Sequence, residues 1–133
     1  MMDAVIAAGE RLAEALRAEN EALAALDLTR AAAMATRKVQ ATDAFAAATA
    51  AATRVGARAE GTLRQAAERL ATDLGSLGQQ NRKLLEEAIA LQSRVIETIA
   101  HASRPASHAP GYGRQGRHRP GAQAAALAVV TRA

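Results

Sequence analysis

The stretch Asn81–Ala102, NRKLLEEAIALQSRVIETIAHA, decides how the rest of the chain is read. Leu84, Leu85, Ala88, Leu91, Val95, Ile96 and Ile99 recur three and four residues apart, which lays one apolar stripe along a helix. Glu86, Glu87, Arg94 and Glu97 fall largely outside it. Seven of the thirteen Leu, Ile and Val side chains in residues 67–133 lie within this stretch. So strong a stripe needs a cover, either another helix of the same chain or a segment of another protein.

The rest of the chain offers little to cover it with. Hydrophobic residues make up 50%, but most of these are alanine; Leu, Ile, Val and Phe together are only 24 of 133. That lies below the roughly 20% associated with thin cores. The net charge of +4 is too low to favour disorder, so helices with a thin core are expected. Alanine is the best helix former yet buries little area. Secondary structure should therefore outrun tertiary stability.

Working back toward the N-terminus, Asp3 to Arg54 contains no proline and one glycine, Gly9. Asp3 suits a helix N-cap. Val5, Leu12, Leu16, Leu23 and Leu26 follow heptad-like steps, a seam for a partner helix. Beyond Met34 the seam is filled by alanine, relieved only by Val39 and Phe45. Gly56 and Gly61 are the first good breakers. Leu63, Ala66, Ala67, Leu70, Leu74 and Leu77 then lead into the opening stripe. The spacing predicts an all-α fold: a long antiparallel helical hairpin with arms over 3–54 and 58–102. In a three-helix variant the second arm is broken near Gly75–Gly78, with Asn81 capping the restarted helix rather than pairing across the interface. Either way the helical body spans 1–102, and a two-armed body leaves apolar edges open.

Past Ala102 the composition changes. Residues 1–102 hold 12 Lys+Arg and 13 Asp+Glu, whereas 103–133 hold Arg104, Arg114, Arg117, Arg119 and Arg132 with no acid. The same segment contains all three prolines, four of the nine glycines and the only tyrosine, and reads as a flexible tail. It finishes in AQAAALAVVTRA, where Leu127, Val129 and Val130 form a short apolar tip.

These features exclude several kinds of chemistry. With no cysteine there are no disulfides and no thiolate chemistry. His101, His108 and His118 lie in or beside the tail, which supplies neither fixed ligand geometry nor a second shell for a metal. GYGRQG follows no strand and opens no helix, so it is not a phosphate loop. No nucleophile motif is present, and neither enzymatic activity nor a cofactor is expected. The arginine tail could bind nucleic acid through phosphates, but a single interleaved aromatic argues against it as the main role. The start, MMDAVIAAGERLAEAL, has no basic segment followed by an apolar run, and no stretch of about 18 apolar residues exists. A cytoplasmic chain without membrane insertion is expected.

The order of the pieces resembles the FlgN-type flagellar export chaperones. Leu16, Glu19, Asn20, Leu23, Asp27, Met34 and Lys38 carry the likeness in the first arm. Asn81, Leu84, Leu85, Ala88, Gln92, Val95, Ile96 and Ile99 carry it in the second, followed by YGRQG and the ALAVVTRA tip. The likeness covers nearly the whole chain and rests on order, spacing and length. It implies a small, all-helical, cytoplasmic chaperone that binds the C-terminal helical segments of hook–filament junction proteins and delivers them to the flagellar type III export gate. Leu84, Leu85, Leu91, Val95, Ile96 and Ile99, with Leu127, Val129 and Val130 of the tip, would hold the cargo. Tyr112 would touch the export gate. The free chain would be a monomer or weak dimer. The alternative reading is a coiled-coil hairpin whose stripe is covered by a second copy.

Overall fold

A computed structural model describes residues 1–105; Tyr112, Leu127, Val129 and Val130 lie outside the described residues. Among the described residues every regular element is a helix: α1 Met2–Ala24, α2 Leu28–Arg54 and α3 Gly61–Ala102. The all-helical expectation holds, and the turn between the arms falls at Val55–Glu60, beside Gly56. The division into three helices comes at a different place from the one the glycines suggest. It lies in the first arm, at Ala25–Asp27, while α3 runs unbroken through Gly75 and Gly78.

Both turns use the same device. At the end of α2, Ala57 N donates to Ala52 O and Gly56 N to Thr53 O, with Gly56 at φ 65°. At the end of α1, Asp27 N donates to Ala22 O and Leu26 N to Leu23 O, with Leu26 at φ 58°. Each is a Schellman motif, whose left-handed residue is normally glycine because a Cβ is strained there. Leucine occupies that position at the first turn and is 62% exposed. Asp27 then starts the next helix, its Oδ1 accepting from Arg30 N at 3.1 Å, an N-cap of the ordinary kind. Asp3 caps nothing; it sits in the first turn of α1, where a negative charge suits the helix dipole.

Packing pairs give the topology. Glu19 meets Lys38 and Gly9 meets Phe45, so α1 and α2 are antiparallel. Gly9 meets Leu70 and Asn20 meets Asn81, each pair 61 residues apart, so α1 and α3 run parallel and in register. The backbone of α1 lies against both neighbours, whereas those of α2 and α3 scarcely approach each other. Central placement explains why α1 buries nine residues, against four in α2 and two in α3.

The buried apolar set is mostly alanine: Ala8, Ala13, Ala15, Ala22, Ala31, Ala35, Ala52 and Ala88, with Leu16 and Leu23. Small side chains bring the helices close but remove little area from water each. Gly9 belongs to the same logic. A Cβ there would stand 2.5 Å from Leu70 Cδ2 and 3.1 Å from Phe45 Cε2, so glycine opens the space the two larger side chains fill. No such need exists at Gly75 or Gly78, where a Cβ would meet nothing within 4 Å.

Candidate functional site

The register divides α3 into two parts. With α1 residues level with α3 residues 61 further on, the end of α1 at Ala24 lies beside Leu85. Up to Ile89, α3 is part of the bundle. Ala88 is 2% exposed and joins Ala22, Leu23 and Ala31 in one cluster, with Leu28, Leu84, Leu85 and Ile89 packed against it. From Ala90 to Ala102 the helix continues for about 20 Å past the level at which α1 ends.

The stripe is divided accordingly. Leu84, Leu85 and Ala88 serve the bundle interior. Leu91 and Ile96 are half-buried, while Val95 is 48% and Ile99 61% exposed. Two large aliphatics one turn apart on a projecting helix form an open apolar face. Leu26 is also exposed at the corner, near the level where the projection begins. The candidate docking surface is thus narrowed to Leu91, Val95, Ile96 and Ile99. Glu86, Glu87, Arg94 and Glu97 are all exposed around it.

Beneath the projection lies a polar layer spanning all three helices. Glu19 and Asn20 come from α1, Lys38 from α2 and Asn81 from α3, and all four are buried. Lys38 Nζ lies 3.1 Å from Glu19 Oε2 and 3.4 Å from Oε1; only Oε1 meets hydrogen-bond geometry, which leaves Oε2 paired by charge alone. The same ammonium donates to Asn81 Oδ1 at 3.0 Å. Because lysine has only donors, it fixes Asn81 with its oxygen inward. Asn81 Nδ2 then donates to Asn20 Oδ1 at 2.9 Å, and Asn20 Nδ2 donates to Leu77 O at 3.3 Å.

Asn81 therefore pairs across the helices instead of capping a new one, since α3 has no break for it to cap. The sequence does carry a signal for this layer, because Glu19 and Asn20 interrupt the apolar run between Leu16 and Leu23. Taking two charges out of water offsets most of their attraction, so such a pair adds little net stability. It does disfavour other alignments: a shift of α1 against α2 strands a buried charge, and a shift of α3 leaves the Asn20 and Asn81 amides without their partners. The layer fixes the register in which the end of α3 runs past the end of α1.

No other described feature offers chemistry. An open groove of about 460 Å³ between α1 and α3 is lined by Glu10, Glu14, Arg17, Arg69 and Asp73, charges of both signs with no buried acid or base among them. Among the described residues no three His, Cys, Asp or Glu side chains gather as a metal site, and no helix is long and apolar enough to cross a membrane. Compared with models of known protein families, with curated proteins and with solved structures, the chain matches none.

Proposed function

We propose that this chain is a cytoplasmic, non-enzymatic export chaperone of the FlgN type, which shields the amphipathic C-terminal helix of a flagellar hook–filament junction protein before its export. The projecting end of α3 carries the reading: Val95 and Ile99 continue the bundle's own apolar stripe past the point where the bundle ends. A guest helix laid there extends the packing of α1 along α3 and uses anchors three and four residues apart. Tyr112, past the end of α3, is the proposed contact with the export gate.

Magnitudes say what sort of guest fits. Covering the half-exposed Val95 and Ile99 returns roughly 2–3 kcal/mol, less than the ~4 kcal/mol or more that association costs. The guest must therefore bring a larger apolar face of its own, as an export-segment helix does. Modest affinity also suits a carrier that has to release its load. A second copy of the chain brings only the same narrow face, so self-association is weak.

Titrating a junction-protein C-terminal peptide into the full chain, with light scattering and calorimetry, tests this reading. A monomer passing to a one-to-one complex supports it. A stable dimer without peptide affinity would instead favour the self-associating hairpin.

A further inference from the structure

The projecting end of α3 shows what its resident occupant should look like. Its open aliphatics are few. Within Leu91–Ile99 the charged residues are Arg94 and Glu97, one of each sign and both exposed, so the face selects for apolar groups rather than for charge. The matching segment is apolar and able to bind without the full penalty of association.

We propose that the chain's own segment 125–132, carrying Leu127, Val129, Val130 and Arg132, lies on Leu91–Ile99 of α3 when no guest is present, so that a guest must displace it. This rests on reading that face as a docking surface, not on the identity of the guest. The segment supplies three aliphatics. The chain between is long enough. Twenty-two residues, 103–124, span up to about 70 Å extended, against about 17 Å from Ala102 back to Leu91. Tethering replaces the association penalty with an effective concentration in the mM range, so a face too weak for a stable dimer can hold a segment in cis. The consequence is regulatory: the tip lowers apparent affinity for guests and keeps the apolar face covered between loads.

The chain has no cysteine, so Thr98→Cys with Thr131→Cys gives two clean spin-label positions in the full-length protein. Pulsed electron–electron distance measurement, with labelled chain diluted in unlabelled chain, should find a short-distance population. Leu127→Ser/Val129→Ser/Val130→Ser should abolish that population. A distribution unchanged by the triple substitution overturns the proposal, as does a short population that vanishes on dilution and so reports contact between copies. Adding the junction-protein peptide separates the two readings. A tip that docks and ignores the peptide keeps this proposal while removing the chaperone. Peptide binding to a chain whose tip never docks does the reverse.

Discussion

Asn81 and Val95 stand on one uninterrupted helix and meet opposite surroundings. Asn81 is locked between Lys38 and Asn20 in the interior, while Val95 is half-exposed well past the level at which α1 ends. Nothing in the local sequence of α3 makes this difference, because the same three-four apolar spacing runs through both regions. It arises where α1 ends. The turn at Leu26 sends the chain back down the bundle and leaves α3 to continue alone. An exposed face on one helix can thus be built by a stop signal in another.

The largest expected effect is in the packed half. Lys38→Met strands the Glu19 carboxylate and should cost about 3–5 kcal/mol, a large share of the ~5–15 kcal/mol typical of a whole domain. Urea unfolding followed by helix signal measures it, and adding Glu19→Leu should restore much of the loss. A cost below about 1 kcal/mol would mean the layer is wet, and the contrast with Val95 would collapse. In the projecting half, Val95→Asp with Ile96→Asp should shift stability by under about 1 kcal/mol yet weaken junction-peptide binding at least ~10-fold. Global unfolding of that variant would mean the face is already core.

Smaller effects sharpen the boundary. Leu26→Gly should raise stability by about 1 kcal/mol, because glycine takes φ 58° without a Cβ clash. Thermal unfolding reads this directly, and no gain would mean Leu26 makes compensating contacts. Gly75→Ala and Gly78→Ala should each add about 0.5–1 kcal/mol, since helix propensity rises and nothing stands within 4 Å. A loss at either position would reveal a bend that α3 needs.

These same turns show what was legible in the sequence. Gly56 announces its motif, and the turn between the arms falls beside it. Leu26 performs the same service while continuing the leucine seam, so the stop was hidden as one more heptad step. Asp27, three residues before Arg30, was the available clue. Gly75 and Gly78 misled in the other direction, because a glycine permits a break without requiring one. The apolar stripe of α3 was plain, as was the shortage of bulky groups to cover it. Its length past the bundle was not, because that follows from helix ends elsewhere. Glu19, Asn20, Lys38 and Asn81 were each visible, but only the three-helix register brings them into one layer.

The central position of α1 also orders assembly in time. Its contacts with α2 join residues such as Glu19 and Lys38, 19 apart, whereas its contacts with α3 close a span of 61. Loop closure and contact order favour the nearer pair, so the first two helices should zip together before the third arrives. The last piece to dock on refolding is then the helix that carries the open face. A nascent chain leaving the ribosome would complete its scaffold before it displays anything adhesive.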